Sequence, residues 1–264
     1  NEAQYNRLLA AAAGGMTAAS IRYISIKVFH PFGIGHVDGE SMYPTNQRIH
    51  KYPMHPTTIK EAGDSKKLTM RDLDWYQKKF DSLYVVEIEF KDICLKKGVT
   101  APFLFKSKCC IDRNAKVIHC NGKIVRVDGI IKCCLTNLDL EIIRDQYQIS
   151  YYNIIACDEY DTQYLPGYVI RTIDKLYADK SNYKKKCKED PNNVDLAATY
   201  AMKKAQLNSV FGCTYTKPVR PDIQINENFI YETEYGATTL DDFYNNKNSC
   251  LAYQWGVFTT SFSL

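Results

Sequence analysis

The stretch from Val86 to Leu135 constrains the fold most, because its apolar residues recur at the period of extended chain. Val86, Ile88 and Phe90 alternate with Glu87 and Glu89, the pattern of a half-buried strand. Phe103-Leu104-Phe105, Val117-Ile118, and Val125 with Val127 around Arg126 read as further short strands, and Ile130 to Leu135 adds another. Asn121-Gly122 is a hairpin-turn dipeptide. Helical spacing flanks this region: Leu73, Tyr76 and Phe80 within the charged stretch 66–80, then Leu138, Ile142 and Ile143 within 138–147. Strands joined by hairpins and bracketed by helices predict an α+β chain.

Residues 1–29 read as helical, with Ala10 to Ala13 a strong helix former and Gly14-Gly15 a break. Pro53 and Pro56 predict an irregular path after residue 50. Residues 169–212 read as two helices separated by Pro191-Asn192-Asn193, and 213–248 as a β-hairpin through Ile223, Ile225, Phe229 and Tyr231. The acid-rich run Asp158-Glu159-Tyr160-Asp161-Thr162 reads as a loop.

Composition narrows the function only a little. The 34 Lys+Arg against 30 Asp+Glu give a slight basicity that neither demands nor excludes nucleic acid. The 20 tyrosines suit base stacking and plain strand packing alike. The 10 cysteines include the adjacent pairs Cys109-Cys110 and Cys133-Cys134 but no Cys-x-x-Cys, which argues against structural zinc and for free thiols. His30, His36, His50, His55 and His119 show no paired metal-ligand spacing. No run of about 18 apolar residues predicts a membrane span, and no signal peptide is visible. A cytoplasmic setting is expected, the host cytoplasm if the chain is phage-encoded. The chain opens on Asn1, which hints that its ends are cuts.

Two stretches carry candidate chemistry. His36 to Pro44 reads as a strand that ends in Asp38 and turns into a short helix. Asp38 offers a hard anionic oxygen to Mg²⁺ and the Gly39 carbonyl a second one; Asp38-Gly39 is also an ordinary turn dipeptide. Tyr43 can lie beneath a nucleotide sugar, and Pro44 fixes the chain after it. In the second stretch, about 100° per residue places Ala197, Tyr200, Lys204, Asn208 and Phe211 on one helical stripe. A cation, an amide and a ring on one face suit a triphosphate, a base edge and a stacking platform. Taken alone, Lys204 also reads as a solvated surface lysine.

Together these stretches resemble family B DNA polymerases, most closely the protein-primed branch of phages and linear plasmids. Asp38-x-x-Ser41-x-Tyr43-Pro44 is similar to the first palm motif, and Lys204-x-x-x-Asn208-Ser209-x-Phe211-Gly212 to the fingers motif, where the family has Tyr in place of Phe211. Gly256 to Phe262 is similar to the palm helix after the fingers, and Leu135 to Glu141 to an insertion between the motifs. The resemblance implies a palm with antiparallel sheet, two-helix fingers and β-hairpin insertions, an incomplete right-hand fold. The segments implied are 1–30 beside an exonuclease, 31–49 the first palm strand, 50–168 a terminal-protein-contacting insertion, 169–212 the fingers, 213–248 a second insertion and 249–264 the palm helix. The family's Tyr-x-Gly-Gly linker is absent, with Phe32-Gly33-Ile34-Gly35 in its place.

The implied reaction is Mg²⁺-dependent nucleotidyl transfer from a dNTP to a primer 3′-OH or a priming-protein hydroxyl at a two-metal site. The resemblance gives Asp38 the catalytic metal position, with Gly39 beside it. It gives Tyr43, Lys204, Asn208 and Phe211 to the nucleotide, and Ser41, Gly212 and Thr260 to the template-primer. Lys180 and Lys184 join the nucleotide set because they share a face with Tyr177. Implied partners are template-primer DNA, dNTP and a priming (terminal) protein. The second catalytic Asp motif and the thumb follow the palm helix in the family, so the chain ending at Leu264 is expected to be inactive alone. The alternative is a non-catalytic DNA or priming-protein binding module.

Overall fold

A computed structural model describes residues 2–12, 41–215, 221–225, 231–235 and 252–263. The elements in order are α1 (Glu2–Ala11), α2 (Met42–Ile49), β1 (Lys51–Lys60), α3 (Met70–Phe80), β2 (Leu83–Leu95), β3 (Cys110–Ile111), β4 (Lys116–Cys120), β5 (Lys123–Thr136), α4 (Asn137–Gln146), β6 (Tyr147–Tyr164), α5 (Gly167–Glu189), α6 (Val194–Thr214), β7 (Pro221–Ile225), β8 (Tyr231–Tyr235) and α7 (Tyr253–Ser261). The chain is α+β, as the alternation predicts. Its main sheet runs β1-β6-β2-β5-β3, with β4 pairing β5, and its strands are antiparallel. A separate antiparallel pair joins β7 to β8.

Strand β2 is central because successive side chains point to opposite faces and both faces are covered. Tyr84, Val86, Ile88 and Phe90 enter one core with Leu73 of α3 and Leu140 and Ile143 of α4. Leu83 and Val85 enter a second core with Tyr5 and Leu8 of α1, Tyr52, Tyr160, and Val257 and Phe258 of α7. Helices α3 and α4 start at capping boxes, Thr69 with Asp72 and Thr136 with Asp139.

Several expectations need correction. Val125–Val127 and Ile130–Leu135 are one strand, β5, whose register against β2 shifts between Val127 and Ile130. Gly129 has φ +125°, and a Cβ there would sit 2.7 Å from the Ala115 Cβ. Phe103-Leu104-Phe105 forms only an isolated bridge, Phe105 to Lys123. The Phe103 and Leu104 amides donate instead to Gln146 Oε1 at 2.9 Å and the Tyr147 hydroxyl at 3.3 Å. Pro53 and Pro56 lie within edge strand β1 and flank a register shift, the irregularity expected of them, at an edge where missing N–H donors are tolerated. Asp158 to Thr162 belongs to β6, not to a loop. The helix read across 1–29 is described only as α1, and the rest of that reading lies outside the described residues.

Helix α7 ties these layers together. The Trp255 indole donates to the Pro53 carbonyl at 3.0 Å, the Asn46 amide to Ser263 Oγ at 2.7 Å, and the Thr136 hydroxyl to Ser261 Oγ at 3.2 Å. It also meets α6 where Gly256 leaves no room: a Cβ there would lie 2.8 Å from both the Thr214 carbonyl oxygen and the Tyr215 Cα. Because those neighbours are backbone, Gly256→Val should force the helices apart and cost about 1–3 kcal/mol of stability. Urea titration checks this; an unchanged midpoint would mean that the contact yields freely.

Candidate functional site

Helices α5 and α6 form an antiparallel pair that turns at Pro191-Asn192-Asn193, as expected from that breaker. The Asn193 side chain caps α6 by accepting the Leu196 amide at 3.1 Å. Along α6, Leu207 is buried, while Lys204 and Asn208 are exposed and Phe211 is half-buried. Lys204 has no ion-pair partner among the described residues, whereas neighbouring Lys203 pairs with Asp179 of α5 at 3.2 Å. Gly212 is exposed at the same end of the helix.

The two stretches singled out in the sequence meet here. The Tyr43 ring of α2 stacks on Phe211 with centroids 4.3 Å apart and planes inclined by 18°. The stack continues from Phe211 to Tyr215 at 5.5 Å and from Tyr215 to Tyr253 of α7 at 5.6 Å, and ends with Tyr5 of α1 tilted at 5.7 Å. Offset ring pairs of this kind add about 0.5–1.5 kcal/mol beyond their buried area. Burial first, and then the nearby Tyr43 phenol, pushes the Tyr215 hydroxyl above its ordinary value. Sequence reasoning missed Tyr215, although it lies four residues past Phe211, one turn along the same stripe.

Helix α5 closes the other side. Lys180 is buried, and its ammonium donates to Ser41 Oγ at 3.1 Å and lies 4.5 Å from the Tyr177 ring centre. This amine, expected beside a triphosphate, lies at the turn that enters α2. That turn matters because Ser41 adopts φ 52°, a left-handed conformation uncommon outside glycine. Lys184 follows one turn on and is half-buried. Thr260, expected at the template-primer, is buried in α7 with its hydroxyl donated to the Val257 carbonyl at 2.6 Å.

Asp38 and Gly39, the expected metal position, lie outside the described residues. Among the described residues no group of three His, Cys, Asp or Glu side chains could hold a metal ion, and no helix is long and apolar enough to cross a membrane. Every cysteine among the described residues is a free thiol.

No family model and no curated protein matches the sequence. Solved structures do match the fold. Phi29 DNA polymerase complexed with primer-template DNA and incoming nucleotide substrates superposes with a TM-score of 0.60 at 17% identity, covering 99% of this chain and 39% of that one. Its orthorhombic crystal form gives 0.58 at 18% identity with the same coverages. Its complex with single-stranded DNA gives 0.56 at 16% identity, covering 97% and 37%. The chain therefore spans well under half the length of the polymerase whose fold it shares.

Proposed function

We propose that this chain is part of a template-directed DNA polymerase, and that the cleft between α2 and α6 receives the incoming deoxynucleoside triphosphate. One observation carries the reading. Tyr43 stacks on Phe211 while Ser41 accepts from Lys180, 139 residues away, so the first stretch packs against both α6 and α5. Lys204 and Asn208 then project from the open face of α6 beside that stack. A fold shared with a polymerase that binds primer-template DNA and nucleotides supports the same reading.

In this reading the chain's own residues bind and orient. The Lys204 ammonium neutralises triphosphate oxygens, the Asn208 amide faces the base edge, and the Tyr43–Phe211 stack gives the sugar and base a flat floor. Positioning of this kind, with fixed charges around a phosphoryl group, supplies most of the catalysis expected for nucleotidyl transfer. Lys180 acts one step back, by fixing the Ser41 turn and thereby the angle at which Tyr43 enters the cleft. Asp38, with the Gly39 carbonyl, is assigned to Mg²⁺ from the sequence pattern, and that ion would supply charge neutralisation at the reacting phosphate. The sheet-rich segment 50–168 is assigned to contact with a priming protein.

The test is equilibrium binding of a fluorescent dNTP analogue in the presence of Mg²⁺. A charge-assisted hydrogen bond contributes about 1.5–3 kcal/mol, so Lys204→Ala should weaken binding tenfold or more. The same substitution should leave the urea midpoint unmoved, because the side chain is exposed. Unchanged nucleotide affinity would return Lys204 to the role of a solvated surface lysine and remove the nucleotide from this cleft.

A further inference from the structure

We propose that the face of α5 turned away from the nucleotide cleft is a docking groove for single-stranded nucleic acid, with Tyr168 as its stacking platform and Arg171 and Lys175 as its phosphate contacts. A groove of about 530 Å³ lies along this face, lined by these three residues, by Thr172, and by Asp179 and Lys203 at the edge nearest α6. At about 100° per residue, Tyr168, Arg171 and Lys175 form one stripe roughly opposite Ile173, Tyr177 and Lys180. Lys180 on that opposite side reaches Ser41 at the start of α2, so the groove lies on the other side of the helix.

The charges show what the groove selects. Its acidic neighbours are already engaged, Asp179 by Lys203 at 3.2 Å and Asp174 by Arg48 at 2.9 Å. Arg171 and Lys175 are exposed, and neither has an ion-pair partner among the described residues. Two uncompensated cations therefore stand one helical turn, about 6 Å, apart, a step that successive phosphates of an extended strand can match. Beside them Tyr168 keeps 64% of its surface in water, and its ring has no stacking partner among the described residues. A flat ring next to a row of cations is the combination that binds single strands without reading sequence. A duplex has no unstacked base to offer that ring, and a free anion would have no use for it.

The experiment is fluorescence anisotropy of a labelled oligothymidylate titrated with the whole chain at several salt concentrations, without Mg²⁺ or nucleotide. Its outcome is therefore independent of the nucleotide-site reading. Tyr168→Ala should weaken binding about tenfold, as expected for one lost stacking contact, while Tyr168→Phe should bind like the parent. The Arg171→Ala/Lys175→Ala pair should flatten the slope of log affinity against log salt by about 1.4, two phosphate contacts' worth on a single strand. Three results would each overturn the proposal. These are parental affinity and slope in all the groove variants, displacement by inorganic triphosphate as effective as by unlabelled oligonucleotide, and equal competition by blunt duplex.

Discussion

Replacing Arg7 with methionine is expected to cost the fold about 3–5 kcal/mol, the largest effect of any single substitution considered, because it strands a carboxylate in the core. Arg7 donates through Nε to Asp158 Oδ2 at 2.6 Å and through Nη2 to Oδ1 at 2.8 Å, a two-pronged pair between α1 and β6. The two side chains are 9% and 0% exposed. The Thr58 hydroxyl of β1 also donates to Oδ1 at 2.8 Å, and the Gln4 amide donates to Thr58 Oγ1 at 2.9 Å. One carboxylate thus collects α1, β1 and β6 at a single point.

The size of that loss does not measure what the pair contributes. Taking both ions out of water offsets most of their attraction, so Arg7→Met/Asp158→Leu should recover most of the stability lost in Arg7→Met alone. Chemical denaturation of the two variants decides this. A loss below about 1 kcal/mol in the single variant would mean that α1 does not depend on the pair. The consequence reaches the candidate site, because Tyr5 of α1 ends the ring stack that starts at Tyr43. Loosening α1 removes the far support of that ring stack.

The same residues show which features of the fold are legible in a sequence. Strand β2 was readable because its cores alternate along the chain, apolar side chains entering one face while Glu87 and Glu89 stay half-buried on the other. The break between α5 and α6 was readable because proline and an asparagine cap act locally. The run from Asp158 to Thr162, which reads as a loop, was not, because the partners of its acids lie far away in sequence. Asp158 pairs with Arg7 from 151 positions away, Glu159 accepts from Ser82 across 77, and Asp161 accepts the His55 amide across 106. Nothing within a window of ten residues announces such partners.

At the candidate site the division is similar. The stripe of Lys204, Asn208 and Phe211 follows from helical spacing and survives into the structure. The stacking of Phe211 on Tyr43 was not legible from either segment alone, because it depends on how α2 packs across α6. Burial of Lys180 and Thr260 was hidden for the opposite reason. A lysine and a threonine look like surface residues until the elements that cover them are in place. Asp38 and Gly39 lie outside the described residues, so their roles still rest on sequence pattern.

A second carboxylate gives the fold a dependence on pH. Asp139 is 1% exposed at the start of α4, where its Oδ2 accepts the Thr136 amide at 3.2 Å. Burial raises its pKa to about 6, against the opposing pull of hydrogen bonds from the Thr136 side chain and backbone and from Ser261. In the unfolded chain the group titrates near 3.9. Between those values the native state holds the proton that the unfolded state releases, so stability falls as pH rises from about 4 and the loss is complete above about 6. The displacement corresponds to roughly 3 kcal/mol at neutral pH. Asp139→Asn keeps an oxygen for the Thr136 amide and removes the buried charge. The variant should therefore match the parent near pH 4, pull ahead through pH 5 and 6, and level off up to about 3 kcal/mol more stable at pH 7. Urea unfolding of both proteins across that range checks the sign and the window together. A gap independent of pH would mean that Asp139 binds its proton equally in the folded and unfolded chains, and so that burial does not raise its pKa.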